Sequence, residues 1–236
     1  MRYELYYWDG IQGRGEYVRL ALEDAGASYV DVARGKGGEA KMLRLMDGRR
    51  VARPSFAPPF LKAGKLMVGQ TANILLYLGP RIGLAPKSEA GRLWTHQLQL
   101  TLADLIAEAH DVHHPIASSL YYEQQRKEAK RTAKHFVAER IPKFLDYFER
   151  VLEHARGPWL CGARISYADL TLFEVVDGLD YAFPKAMKRM GRRHARVLGV
   201  RDRVRARPRI AAYLASSRRL AFNEQDIYRY YRALDV

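Results

Sequence analysis

The chain has 236 residues, of which 48% are hydrophobic, and its formal net charge is +14. This length suits one large domain or two small ones and is enough to bury a substantial core. No apolar run approaches the ~20 residues that a membrane-spanning helix needs, and the first residues lack the apolar centre of a signal peptide. We therefore expect a cytoplasmic protein that does not associate with membranes.

Cysteine and basic residues narrow the function classes further. The single cysteine, Cys161, excludes an intramolecular disulfide, a CxxC redox pair and a cysteine-based zinc cluster in this chain. The segment from Lys185 to Arg219 holds thirteen Lys and Arg residues against one acid, Asp202. It could contact nucleic acid or anionic lipid, or form the solvated face of arginine-rich helices. No aromatic stacking pattern or nucleic-acid motif accompanies the arginines, so the solvated face is favoured and nucleic acid is an unlikely partner.

The start of the chain has the pattern of a βαβ unit. Alternating bulky residues predict a strand from Tyr3 to Trp8, and apolar residues spaced three and four apart predict a helix that stops at Gly26. Ala27 to Ala33 forms a second strand, which suits a parallel pair. Three glycines in the first turn suggest dinucleotide binding only weakly, because the third glycine of G-x-G-x-x-G is absent.

A strand, a tight turn, a second strand and a helix are predicted in residues 56–78. Phe60 to Lys62 and Lys65 to Val68 are short apolar runs with only Ala63-Gly64 between them, which predicts a hairpin. Pro59 stands where the first strand begins, and a tight turn is the usual place for a cis X-Pro bond. A bend there leaves the carbonyl of Pro58 free to pair with an extended ligand.

The helix after this hairpin opens on a polar pair, Gln70-Thr71. We predict Thr71 as the N-cap of a helix over Ala72 to Leu78. The unpaired N–H groups of a helix start favour an anion, so this position would accept the carboxylate of a ligand.

These motifs together resemble one enzyme family. Pro-Phe-Leu, a glycine turn, Gly-Gln-Thr and an apolar helix ending in Tyr-Leu-Gly are similar to the glutathione site of the glutathione S-transferases. Tyr-Trp-Asp followed by Gly-Arg-Gly-Glu-Tyr-Val-Arg resembles the tyrosine-type, mu- and sigma-like members. The resemblance covers nearly the whole chain. It implies a thioredoxin-like α/β domain at residues 1–82, an all-α helical domain at residues 83–236 that contributes the electrophile pocket, and a homodimer.

The resemblance also implies roles for individual residues. Tyr7 falls on the catalytic tyrosine, with Tyr6 as a rival, and Arg14 falls on a basic residue near it. The chain has one additional residue in the loop between Trp8 and Gly13. The residues expected to hold glutathione are Trp8, Pro58, Pro59, Gln70, Thr71 and Asp104. The aspartate would reach across the dimer to the γ-glutamyl amine, and the alternative is an acid on a helix surface.

Residues 34–55 are expected to supply a basic group for the glycyl carboxylate of glutathione. The segment lacks the tryptophan found in relatives, and several cations compete for the role. The candidates are Lys36, Lys41, Arg44, Arg49, Arg50 and Arg53.

The rest of the chain has a helical pattern. Residues 79–87 contain two prolines and two glycines and mark the change between the domains. One later helix is predicted to bend at Pro142. Ser166 and Asp169 match a capping box, whose role is in folding.

His110, His113 and His114 lie at helical spacing and could present two imidazoles to a metal ion. The sequence has no HExxH motif and names no third ligand. Packing, or the lining of a substrate pocket, is therefore favoured, and we expect no metal.

The function that the resemblance implies is a detoxifying glutathione transferase, with glutathione as co-substrate. Tyr7 would donate a hydrogen bond to the thiol, which favours the thiolate that attacks a small hydrophobic electrophile. A non-catalytic glutathione or ligand carrier, and a glutathione-dependent isomerase or peroxidase, are alternatives on the same fold. The second pocket is expected between the His110 to Tyr122 region and the C-terminal helices, where the run Phe222 to Tyr231 either caps the pocket or packs on the body.

Overall fold

The computed structural model describes residues 2–48 and 51–236, and within them a four-stranded sheet with three helices precedes seven further helices. The strands are β1 (Tyr3–Tyr6), β2 (Tyr29–Asp31), β3 (Phe60–Ala63) and β4 (Leu66–Gly69). The first helices are α1 (Gly13–Ala25), α2 (Gly38–Asp47) and α3 (Thr71–Leu78). The later ones are α4 (Glu89–Asp111), α5 (Arg126–His135), α6 (Ile141–His154), α7 (Tyr167–Ala182), α8 (Pro184–Met190), α9 (Ala195–Arg205) and α10 (Pro208–Leu214).

The sheet brings distant parts of the sequence together at one end of its strands. Its strand order is β2-β1-β3-β4, with β1 and β2 parallel and the other neighbours antiparallel. Tyr6 pairs with Phe60, and Phe60 pairs with Gly69, so these residues form one row across the sheet. Just beyond this row, at the ends of the three strands, lie Tyr7, Pro59 and Gln70.

The predicted thioredoxin-like α/β region and the all-helical region are both confirmed. The expected boundary at residues 82 and 83 falls between α3 and α4 and stays a prediction. Helix α1 ends at Gly26, whose φ of 64° provides the left-handed C-cap that glycine favours. No helix in the described part of the chain is both long enough and apolar enough to cross a membrane.

Several element boundaries differ from the predicted ones. Strand β1 ends at Tyr6, two residues earlier than predicted, and the chain turns at Asp9 and Gly10 before it enters α1. Helix α3 begins at Thr71, so Thr71 is not the N-cap as predicted; Gln70 occupies that position. A π-helical segment, Phe136–Arg140, separates α5 from α6 just before Pro142, and the bend expected at Pro142 stays a prediction. A wide turn there is a common way for a helix to accommodate an interruption of its hydrogen bonds.

Helix α7 is the centre of the helical region and is buried along most of its length. Its start confirms the predicted capping box, since Asp169 Oδ2 accepts hydrogen bonds from the Ser166 N–H at 2.8 Å and from its hydroxyl at 2.7 Å. Burial raises the pKa of Asp169 to about 6. This carboxylate is therefore a folding element within the core.

The basic segment is extensively ion-paired, and its partners lie in several other helices. Seven of its arginines contact a carboxylate outside the segment, and the pairs are Arg193–Asp146, Arg196–Glu149, Arg201–Asp180, Arg205–Asp177, Arg207–Asp24, Arg218–Glu23 and Arg219–Glu16. The last three partners belong to α1. Three of the seven pairs thus join the helical region to the first helix of the α/β region.

Candidate functional site

Tyr7 lies directly after β1 and packs on the first turn of α1. Its side chain is 4% exposed. A Cβ atom added at Gly15 would come within 2.6 Å of Tyr7 Cγ, and one at Gly13 would also collide with the ring. Two of the three glycines that suggest dinucleotide binding, Gly13 and Gly15, therefore make room for Tyr7.

A backbone link joins three of the predicted site residues. The N–H of Arg14 donates to the hydroxyl oxygen of Tyr7 at 2.8 Å. The Thr71 hydroxyl donates to the carbonyl of Arg14 at 3.3 Å. The start of α1 thus lies between Tyr7 and the start of α3.

The surroundings of Tyr7 keep its hydroxyl protonated. Burial raises the pKa of Tyr7 above its ordinary value, and the hydrogen bond from Arg14 opposes that shift only in part. Among the described residues, none accepts a hydrogen bond from this hydroxyl. Its proton is available to an acceptor outside the chain.

Tyr6, the rival candidate, has a different environment. Its ring stacks on Phe60 with centroids 4.6 Å apart, and its hydroxyl donates to Glu4 Oε2 at 2.7 Å. Successive residues of a strand face opposite sides of the sheet, so Tyr6 and Tyr7 point apart. Tyr6 is therefore committed to the packing of β1 and β3.

Gln70 has an unusual backbone conformation at the sheet edge. Its φ is 66°, and it is the only residue other than glycine with positive φ in the described part of the chain. Its side chain is exposed. A strained backbone at an exposed position is a reason to suspect function.

The predicted cis bond is present between Pro58 and Pro59. Pro59 is buried, whereas Pro58 is half-buried. Both lie at the end of the hairpin strands where Gln70 also lies. Because proline has no N–H, the backbone of Pro58 offers a ligand an acceptor but no donor.

The other predicted residues are more dispersed. Trp8 follows Tyr7 and is 36% exposed. Asp104 lies on α4 and is exposed, and within the described chain it makes no hydrogen bond with the residues around Tyr7.

The structure separates some of the basic residues that are candidates for binding the glycyl carboxylate of glutathione. Lys41 lies 2.8 Å from Glu4 Oε2 and is occupied by that pair. Arg49 and Arg50 lie outside the described residues. The exposed candidates that stay open are Lys36, Arg44 and Arg53.

A cavity of about 660 Å³ lies between the end of α4 and the C-terminal tail, residues 215–236. Its position agrees with the predicted second pocket. Its lining is largely polar, and it includes His110, His114, Tyr122, Arg229 and Tyr231. The polar lining was not expected, since the sequence predicts a pocket for an apolar electrophile.

The histidines are engaged in packing and hydrogen bonding. His113 Nε2 donates to the Ile227 carbonyl at 2.9 Å, and His114 Nδ1 donates to the Leu120 carbonyl at 2.9 Å. In the residues that the structure describes, no group of three His, Cys, Asp or Glu side chains is arranged to hold a metal ion.

The contacts between the C-terminal tail and the loop after β1 escaped sequence reasoning. Asp226 accepts hydrogen bonds from the N–H groups of Gln12 and Gly13, more than 200 residues away in sequence. No local motif marks Asp226. The nearby aromatic run is the one sequence signal that this tail packs on the body.

Comparison with known proteins gives consistent matches. Residues 110–217 match the family model described as "Glutathione S-transferase, C-terminal domain". A glutathione S-transferase of Plasmodium falciparum is 26% identical over 191 residues, covering 78% of this chain and 83% of the relative. "Glutathione S-transferase P 10" of Caenorhabditis elegans is 29% identical over 175 residues, covering 74% of each chain. The solved pi-class glutathione S-transferase of Onchocerca volvulus superposes with a TM-score of 0.70 at 21% identity, covering 90% of this chain and 92% of that chain. Just under half of the chain therefore matches a glutathione S-transferase domain, and the chain as a whole is similar to glutathione S-transferases in sequence and in fold.

Proposed function

We propose that this protein is a glutathione transferase in which Tyr7 activates the glutathione thiol. The observation that carries the proposal is the hydrogen bond from the Arg14 N–H to the Tyr7 oxygen at 2.8 Å. That bond fixes the oxygen beside the start of α1 and leaves the hydroxyl proton free to point at a bound sulfur. The family-model match over residues 110–217 and the curated relatives named glutathione S-transferase support it.

The chemistry is a problem of thiol ionisation. A free thiol has a pKa of ~8.5, so only a few per cent is thiolate at neutral pH. A hydroxyl that donates to the sulfur favours the anion and lowers the thiol pKa. Because burial raises the pKa of Tyr7, the phenol stays a donor and does not itself ionise. Arg14 would add a favourable positive charge close to the sulfur.

The neighbouring residues would hold the tripeptide with its sulfur near Tyr7. The carbonyl of Pro58 would accept from the extended backbone of glutathione, next to buried Pro59. Gln70, Thr71 and the first N–H groups of α3 would receive the γ-glutamyl carboxylate. Trp8 would cover the ligand from the solvent side.

The electrophile would occupy the cavity between α4 and the tail. Its lining combines three tyrosines with histidine and arginine side chains. We therefore expect an acceptor that has polar groups beside its apolar part. The thiolate would form the new carbon–sulfur bond as the leaving group departs with its electron pair, and the thiol proton would pass to solvent.

A second copy of the chain would complete the site. Phe56, in the loop before Pro58, is 94% exposed, which is unusual for so large an apolar side chain outside an interface. A homodimer would cover it and would allow Asp104 of one protomer to approach the glutathione of the other. The cytoplasmic location stays a prediction.

The test is conjugation of glutathione to chlorodinitrobenzene by the purified chain, followed by product absorbance. We expect turnover that depends on both substrates and falls in Tyr7→Phe. Glutathione binding without turnover on any aryl halide, epoxide or peroxide would favour a carrier. Turnover of a peroxide alone would favour the peroxidase alternative, and a steeply salt-dependent affinity for DNA would favour the nucleic-acid alternative.

A further inference from the structure

The C-terminal tail crosses the loop between β1 and α1. Asn223 Nδ2 donates to the Gly10 carbonyl at 3.0 Å, and the side chain of Gln12 donates to the Leu220 carbonyl. Next to these contacts, the buried carboxylate of Asp226 accepts hydrogen bonds from N–H groups of the loop. The tail therefore closes on the segment that follows Tyr7.

Three successive N–H groups at the start of α1 have two different acceptors. Gln12 N–H donates to Asp226 Oδ2 at 3.0 Å, and Gly13 N–H donates to Asp226 Oδ1 at 2.9 Å. The next N–H, that of Arg14, donates to the Tyr7 oxygen at 2.8 Å. One carboxylate thus fixes the two peptide groups that immediately precede the one bonded to Tyr7.

The orientation of these peptide groups is not fixed by the local sequence. Gly13 has a φ of +46°, a conformation that glycine adopts among many others, so the turn has little intrinsic rigidity. A carboxylate at a helix N-terminus is well suited to fix it, because the free N–H groups there attract negative charge. Asp226 supplies that carboxylate from the far end of the chain.

Asp226 is itself held from the other side. The carbonyl of the next residue, Ile227, accepts from His113 Nε2 at 2.9 Å on the loop after α4. The hydroxyl of Tyr228 lies 3.0 Å from that of Tyr17 on α1, and both tyrosines are buried. The tail can therefore act as a fixed support for the loop.

We infer that Asp226 is a positioning residue for Tyr7: by holding the Gln12 and Gly13 peptide groups, it aims the Arg14 N–H at the tyrosine oxygen and so directs the Tyr7 proton toward the glutathione sulfur. This inference rests on the proposed function, because it assigns Asp226 a role in the same thiol activation. It also makes the tail part of the catalytic arrangement, beyond any contact it has with the electrophile.

The experiment compares Asp226→Asn with Asp235→Asn. Asp235 is a matched control, because it is a buried carboxylate of the same tail that accepts from the N–H groups of Lys185 and Ala186 at the start of α8. The pKa of the bound glutathione thiol is measured by ultraviolet absorbance of the thiolate, together with kcat/KM against pH. Asp226→Glu, which keeps the charge and both oxygens, is the second variant.

We expect Asp226→Asn to raise the bound-thiol pKa by about one unit and to lower kcat/KM at neutral pH about tenfold. The affinity for glutathione should stay unchanged, Asp226→Glu should recover part of the loss, and Asp235→Asn should match wild type. In a Tyr7→Phe background, Asp226→Asn should cause no further change, because its effect passes through Tyr7.

An unshifted thiol pKa in Asp226→Asn would overturn the inference. The inference would also be overturned if the loss of kcat/KM in Asp226→Asn added fully to the loss in Tyr7→Phe, or if Asp235→Asn showed the same loss. Either result would assign the tail a purely structural role. If Tyr7→Phe itself leaves the thiol pKa unchanged, the proposed function fails instead, so the two failures are distinguishable.

Discussion

Arg219 Nη1 lies 2.6 Å from Glu16 Oε1, which joins the C-terminal tail to the first turn of α1 in a buried ion pair. The same nitrogen lies 2.9 Å from Glu174 Oε2 on α7. Burial opposes the ionisation of Glu16, but the charges of Arg219 and Arg19 outweigh it and lower the pKa of this carboxyl. This buried cation therefore helps to anchor the helix that carries Arg14 to the helical region.

Replacing this cation should destabilise the protein strongly. Arg219→Met would leave the two buried carboxylates without their shared partner, and we expect the free energy of unfolding to fall by about 3 to 5 kcal/mol. The exposed Arg196, paired with Glu149, is the matched control, and Arg196→Met should cost less than about 1 kcal/mol. Urea denaturation of both variants measures the difference. If both variants lost the same free energy of unfolding, the buried ion pairs of Arg219 would contribute no more to stability than the exposed pair of Arg196.

Gln70 should separate stability from ligand binding. Gln70→Gly relieves the positive φ, so we expect stability to rise by about 1 kcal/mol. Loss of the amide should weaken glutathione binding about tenfold. Gln70→Ala is the control, since it removes the same amide but leaves the backbone strained. It should lose the same affinity without the gain in stability, as measured by calorimetry and thermal melting. Unchanged affinity in both variants would mean that Gln70 does not contact glutathione.

The exposed Phe56 should report on the oligomeric state. We expect wild type to sediment as a dimer and Phe56→Ser to dissociate at low concentration, because the side chain would lose its apolar partner surface on the second copy. Tyr121, another exposed aromatic residue at 75% exposure, provides the control, and Tyr121→Ser should remain dimeric. Analytical ultracentrifugation measures both. A dimer that is indifferent to Phe56→Ser would place the interface elsewhere.

His113 should make stability sensitive to acid. Burial is the main cause that lowers its pKa from 6.5 to about 3, so the unfolded chain binds a proton on this residue at a higher pH than the folded chain does. The neutral, buried His113 therefore makes its full contribution to the free energy of unfolding above the unfolded pKa of 6.5. That contribution is lost as the pH falls from 6.5 toward 3, because the unfolded chain gains a proton that the folded chain does not.

Between about pH 7 and pH 5 this loss amounts to about 2 kcal/mol. His113→Gln keeps a donor for the Ile227 carbonyl but does not titrate, so its stability should fall less over the same range. The neighbouring groups His110, His114 and Arg229 are the same in both proteins. An identical pH dependence of the urea midpoint in wild type and variant would rule out His113 as the cause.

The sequence predicts the local elements well where short-range interactions decide them. The hairpin with Gly64 in its turn, the cis bond before Pro59 and the capping box of Ser166 and Asp169 follow from turn, proline and cap preferences, and all are confirmed. The helix predicted over Ala72 to Leu78 is present but begins at Thr71, so the predicted N-cap is wrong by one residue. The polar pair Gln70-Thr71 does not by itself determine which of the two residues is the N-cap and has the non-helical backbone.

The contacts made by the C-terminal tail could not be predicted in this way. Asp226 and Arg219 meet the start of α1 through contacts that span about 200 positions of sequence, and neither lies in a motif that names its partner. The dense arginines of the basic segment suggested a solvated surface, whereas many of them pair with acids on other helices. Charge patterning gives the number of arginines but not the positions of the carboxylates that will face them.

The most direct test of thiol activation is the ultraviolet titration of glutathione bound to wild type and to Tyr7→Phe. We predict a bound-thiol pKa well below that of free glutathione in wild type, and a rise toward the free value in Tyr7→Phe with glutathione affinity retained. Glutathione that binds both proteins with an unshifted thiol pKa would contradict the assignment of Tyr7 as the activating residue.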